Sequence, residues 1–325
     1  MDSGYTKRDM ILNLIKGDCG RSGGKCVTSA IGNVQKEDRI YKETERLTFC
    51  ECSMGSGYKI CTYLNLDKNI RKHIGIVSEQ IVRLLFSEKL TEKEKYRVCF
   101  LRQLRSAYAV NELDKAIELC EKITGNDNTS IFNMLVLSRF SDAELEKNAN
   151  NDSGKYKLST DLQRMVYEEL GKVASKPLIY RKEITEIISL CINRLTTYFK
   201  TECKTREFGV ILEISGTKVR GGEVDLVTRD SIVDIKVKEK FEVTDIIQVL
   251  TYARIMKLNK HKLYKGIKYV KLVNPFTNKV RTYTIKNIPK IIWELIDNDI
   301  INTYKQLSLF DEQFNCNTDI NKLFE

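Results

Sequence analysis

Two short runs, residues 222–228 (GEVDLVT) and 231–237 (SIVDIKV), read as neighbouring strands: both are rich in apolar and β-branched residues, and only Arg229 and Asp230 stand between them. Each carries a carboxylate inside its apolar pattern, Asp225 in the first and Asp234 in the second. Side chains two apart share a strand face, so Asp234 and Lys236 project together while Val233, Ile235 and Val237 face the other way. If the strands pair, Asp225 joins them, and two acids and one amine meet at one spot. Carboxylates within a few ångströms of each other repel unless they share a cation or a proton. A divalent metal would resolve that conflict, although acids and lysines on strands also occur simply as the solvated face of a half-buried sheet.

The elements around these strands limit the fold further. After a polar, turn-prone segment at 146–157 the pattern runs helix (159–174), helix (182–200), three strands (209–217 and the two above), helix (244–259) and two strands (267–275, 279–285) around Phe276-Thr277-Asn278. The helix at 244–259 is expected to start at Thr244 as N-cap and to bury Ile246, Val249, Leu250 and Ala253. Before the polar segment, residues 69–86, 94–110, 112–124 and 130–140 repeat apolar residues at helical spacing, while residues 1–65 show only short strand-like runs such as 58–66. The expectation is a mixed α/β chain with a mainly helical, cysteine-containing domain over 1–150 and a second domain over 151–325.

Composition narrows the chemistry. The chain has 325 residues, is 42% hydrophobic and 30% charged, and contains no apolar run of membrane-spanning length, so an intracellular, cytoplasmic or nuclear protein without a membrane partner is expected. Its ten cysteines lack a regular spacing and are expected as reduced thiols. A structural zinc site could draw on Cys19, Cys26, Cys50, Cys52 and Cys61, but their spacing departs from C-x2-C, and packed or surface thiols are the simpler expectation. Cys203 has neither histidine paired with it, which argues against thiolate catalysis. With only two histidines, imidazole-rich metal sites drop out, and carboxylate-held Mg2+ or Mn2+ remains.

The net charge of +10 has a local source. Between Asp245 and Glu294 stand eleven Lys or Arg and no acid, with tyrosines and Phe276 interleaved, a pattern suited to a polyanion such as nucleic acid. Arg254 and Lys257 on the helix and Lys271, Lys279 and Arg281 on the hairpin are the candidate phosphate contacts.

Asp225, eight residues, then Asp234-Ile235-Lys236 resembles the D-x(n)-(D/E)-x-K signature of the PD-(D/E)XK nuclease superfamily, and Gln248 with Tyr252 is similar to the Q-x3-Y motif of its RecB-like branch. The resemblance spans residues 160–290. It implies a restriction-endonuclease-like αβββαβ core in which Asp225, Asp234 and the Ile235 carbonyl hold Mg2+ or Mn2+ and Lys236 orients or helps deprotonate a water. Gln248 and Tyr252, one helical turn apart, would hold the lysine, the water or a phosphate. The family adds an acid from a helix before the first strand. Glu169, set among Leu162, Met165, Val166 and Val173, is the first candidate for catalysis and metal ligation, ahead of Glu183 and Glu213. The activity implied is a metal-dependent nuclease acting on DNA, with a ribonuclease or a non-catalytic nucleic-acid-binding scaffold as alternatives.

Overall fold

The computed structural model describes residues 6–19, 31–55, 68–141, 177–202, 206–214 and 220–303. The helix expected at 159–174 with Glu169, the polar segment at 146–157, the run at 58–66, and Cys26, Cys61 and Cys203 lie outside them.

The chain opens with α1 (Lys7–Cys19), α2 (Arg39–Glu45) and a short strand, β1 (Cys50–Ser53). The apolar period then produces α3 (Lys68–Leu85), on which Ile74, Val77, Ile81 and Val82 are fully buried. α4 (Glu92–Lys95) starts at a capping box shared by Thr91 and Glu94 and runs through a π-helical turn (Tyr96–Phe100) into α5 (Leu101–Ala109). α6 (Leu113–Glu121) and α7 (Asn128–Ser138) follow, the latter capped by the Asp127 carboxylate, which accepts from the Thr129 and Ser130 amides. α8 (Pro177–Glu202) leads into β2 (Arg206–Glu213), β3 (Arg220–Thr228) and β4 (Ser231–Ile235). Then come α9 (Val243–Leu258), the hairpin of β5 (Tyr269–Asn274) and β6 (Lys279–Thr284), and α10 (Lys290–Leu295).

The expected mixed α/β architecture is present as one six-stranded sheet in the order β1–β6–β5–β4–β3–β2. All neighbours run antiparallel except β4 and β5, the parallel pair joined through α9, since parallel strands need a crossover. One side of the sheet, through Leu226, Val233 and Val273, joins the core formed with α3, α7 and α8. The other, through Ile232, Val270 and Leu272, joins α9 and α10. Several elements from the first 150 residues are built into this arrangement. β1 extends the sheet by pairing with β6, and α3 packs on α8.

α9 begins two residues earlier than the sequence suggests. Glu242, not Thr244, is its N-cap, and the Asp245 carboxylate accepts from the Glu242 amide at 2.8 Å. The helix is also more deeply buried than a simple amphipathic stripe, with Ile247, Thr251, Tyr252 and Met256 enclosed along with the expected apolar positions. The reason is tertiary: the sheet lies on one side of it and α2 on another. Among the described residues no helix is long and apolar enough to cross a membrane.

Candidate active site

The ladder between β3 and β4 is short, pairing Val227 with Ile232 and Leu226 with Val233. The next positions are Asp225 and Asp234. There the interrupted ladder leaves a backbone donor over, and Asp225 Oδ2 accepts the Ile235 amide at 2.6 Å. Lys236 follows the last residue of β4, with its own amide donating to the Val273 carbonyl at 2.8 Å, which fixes the direction its side chain takes. Its ammonium lies 2.9 Å from Asp234 Oδ2 and donates to Gln248 Oε1 at 2.9 Å. Gln248 Nε2 donates onward to the Tyr252 hydroxyl at 2.6 Å. The structure therefore brings Asp225, Asp234, Lys236, Gln248 and Tyr252 together. Gly222 makes room for the tyrosine: its φ is +123°, and a Cβ there would lie 2.6 Å from the ring.

Helix α3 adds two residues that the sequence reading passed over. Arg83, 3% exposed, donates to Glu223 Oε1 at 2.6 Å and to the Val98 carbonyl at 3.1 Å. It also pairs with Glu79, one turn earlier, and lies 3.7 Å from Asp225 Oδ1. Gly209 on β2, with φ +61°, admits the guanidinium, because a Cβ there would stand 2.7 Å from Nη1. A signal was available: Glu79 and Arg83 stand four apart on either side of Ile81–Val82, between Val77 and Leu84, an ion pair set inside an apolar stretch. Of the other acids considered, Glu183 on α8 and Glu213 on β2 do not line the cleft described below.

Burial dominates the electrostatics of the cluster. Burial and the neighbouring Asp234 push the Asp225 carboxyl well up, and burial raises Asp234 against the pull of Lys236. Burial also pushes Glu79 up to about 8, although Arg83 pulls the other way. For Lys236 burial works against the ammonium, but Asp234, Asp245 and Asp225 outweigh it and hold the amine above its usual value. Glu79, Glu223 and Asp225 do the same for Arg83, again against burial. Four carboxylates thus share two cations, and full ionisation would leave two negative charges over. Asp234 Oδ2, despite its contact with Lys236, accepts no well-aligned hydrogen bond. An under-satisfied buried oxygen and two surplus negative charges are what one divalent ion with oxygen ligands would fit. As the side chains stand, no group of three or more His, Cys, Asp or Glu among the described residues is gathered to hold a metal, and Arg83 bonds the acids of α3 and β3 instead. Cys50 and Cys52 on β1 are exposed free thiols.

These groups lie in a cleft of about 1050 Å3 walled by α3, α5, β2, β3 and α9. Arg97, Arg102, Arg105 and Lys262 also line it. None of the five basic residues singled out from the sequence does. Arg254 Nε donates to Asp297 at 2.8 Å, Lys257 is exposed near the end of α9, and Lys271 lies over the Tyr198 ring at 5.9 Å. Lys279 and Arg281 both bond Glu51 on β1, an acid 228 residues before Lys279 that a local charge count cannot see. Compared with protein-family models, with curated proteins and with solved structures, the chain matches none.

Proposed function

We propose that the protein is a metal-dependent nuclease that hydrolyses phosphodiester bonds in DNA, with the cleft as its active site and a restriction-endonuclease-like core around it. The observation that carries this reading is the placing of Asp225 beside the buried Asp234 where β3 and β4 part, with Lys236 tied to Asp234 and Gln248 and, through Gln248, to Tyr252. Asp225 and Asp234 are the metal ligands in this reading, and Ile235 beside them can offer its carbonyl. Glu79 is the third acid, preferred to Glu169 because it reaches the same cluster from α3.

A bound Mg2+ or Mn2+ would polarise a phosphoryl oxygen and lower the pKa of water. Lys236, held as an ammonium by its acidic neighbours, donates and does not accept a proton, so it suits the charge that grows on the phosphate during attack. Gln248 and Tyr252 fix the position of its Nζ, and such positioning is a large part of the rate in phosphoryl chemistry. Arg97, Arg102 and Lys262 on the cleft wall would neutralise phosphates of the bound strand.

One observation favours a second reading, a nucleic-acid-binding scaffold without catalysis: Arg83 already bonds the acids that a metal would use. The deciding experiment incubates the protein with linear and circular DNA, single- and double-stranded, and with RNA, in Mg2+ or Mn2+. Cleavage that disappears in Asp234→Asn supports the nuclease. DNA binding without cleavage, and without divalent-ion binding in calorimetry, supports the scaffold.

A further inference from the structure

A second and smaller pocket, of about 260 Å3, lies between the end of α9, the turn at Lys262–Tyr264, the segment after β6 and α10. We propose that this pocket binds a nucleotide unit, with the base against Trp293 and Tyr264 and the phosphate at Lys257 and Lys286. The side chains divide by chemistry. Ile285 and Ile288 supply apolar surface, the two aromatic rings supply flat π-faces, and the basic groups supply charge. Two of the four basic groups are already matched: Arg254 pairs with Asp297, and Lys290 lies 3.1 Å from Glu294. Lys257 and Lys286 are exposed and make no ion pair among the described residues. The acids that reach the pocket wall, Asp297 and Glu294, are those held by Arg254 and Lys290.

A purely solubilising basic surface would not need half-buried aromatic rings beside its free amines, and a purely apolar pocket would not be ringed by lysines. A ligand with one flat apolar face and one anionic group satisfies both halves, and stacking serves any base because every base has a π-face. This pocket is separate from the acid-lined cleft. Lys257 follows Gln248 by nine residues on α9, which puts it about half a turn round the helix, on the opposite side. The proposal therefore does not rest on the nuclease reading.

Trp293 is the only tryptophan in the chain, so its fluorescence reports on this pocket alone. The full-length protein, in EDTA so that cleavage plays no part, is titrated with thymidine monophosphate, a short oligothymidylate and inorganic phosphate. Saturable quenching by thymidine monophosphate or the oligonucleotide is expected, with inorganic phosphate weaker by about tenfold or more for lack of a stacking base. Lys257→Ala with Lys286→Ala should weaken the nucleotide by about tenfold while the emission maximum of the free protein stays put. An oligonucleotide that binds more tightly than the monomer and weakens with salt identifies the source as single-stranded nucleic acid; equal affinities identify a free nucleotide. The proposal is overturned by an absence of saturable quenching with both nucleotide probes, by inorganic phosphate binding as tightly as they do, or by unchanged affinity in the double variant.

Discussion

Helix α9 borders two regions of opposite character. At Gln248 and Tyr252 it faces a cleft in which four clustered acids share two cations; at Arg254 and Lys257 it faces a small pocket where Lys257 and Lys286 are exposed and make no ion pair among the described residues. The difference lies in what each arrangement costs the fold. Exposed lysines cost little, because water solvates them whether or not a partner arrives. Enclosed carboxylates are expensive, and the protein surrounds them with supports: Arg83 from a distant helix, two glycines where a Cβ would clash, and a lysine held by an amide that a phenol holds in turn. Groups supported at such cost act as a unit, while groups on an open surface act independently.

Mutation of the enclosed acids should produce the largest effects. Asp234→Asn, which keeps shape but removes charge, is expected to lower cleavage by about a thousandfold or more while the metal-free protein melts no lower than wild type, because a mutual repulsion has gone. Activity close to wild type in this variant would end the assignment of the cleft.

Next in size is the assignment of the third acid. Glu79→Gln should lower cleavage by about a hundredfold, and Glu169→Gln assayed beside it should change it little. If the loss belongs to Glu169 instead, α3 supplies only structure.

Acidity separates the regions in a different way. The folded protein holds Glu79 near 8 against an ordinary value of 4.5, so the folded state binds a proton that the unfolded chain has released. Stability from this source is complete below the ordinary value and is lost as pH rises through 8. The metal-free protein should therefore melt roughly 5 °C lower at pH 9 than at pH 6, and Mn2+ should recover most of that loss. Melting curves with EDTA or Mn2+ across this range provide the check, and a metal-insensitive, pH-flat melting point would contradict the charge balance given for the cleft.

The smallest effects should come from exposed cations. Replacing Arg97 and Arg102 with alanine should reduce the log-log salt slope of DNA binding by about one to two units. The same change at Lys279 and Arg281, which already bond Glu51, should leave slope and affinity nearly unchanged. Binding isotherms at several salt concentrations distinguish the pairs, and the reverse ranking would move the strand from the cleft to the hairpin.

The strands, the helix between β4 and β5, and the meeting of Asp225, Asp234, Lys236, Gln248 and Tyr252 were legible because each depends on spacing within one short stretch. Val233 and Ile235 face one core while Asp234 reaches Lys236, as alternation demands. The start of α9 was misplaced by two residues because Thr244 is a good cap in isolation, whereas Asp245 reaches back to the amide of Glu242. Arg83 and Glu51 escaped for a different reason: although Glu79 and Arg83 stand four apart, the partners that tie Arg83 to the site and Glu51 to the hairpin are more than a hundred residues away, and no local periodicity records such a pairing. The basic stretch misled in the same way. Its charge was counted along the chain, but whether a lysine is available depends on acids that reach it from elsewhere in the fold.

The origin of α3 well upstream in the chain has a consequence in time. At typical synthesis rates of about 5 to 20 residues per second, roughly 8 to 30 seconds separate the appearance of Glu79 and Arg83 from that of Asp234 and Lys236. By the end of that interval α7 and α8, which cover the apolar face of α3, are already made, but the strand acids that Arg83 will meet are not. The ion pair between Glu79 and Arg83 is local to the helix, so it can form as soon as the helix does. A charge that will later stand beside Asp225 is thus matched from the outset, before the strands that bring its other partners exist.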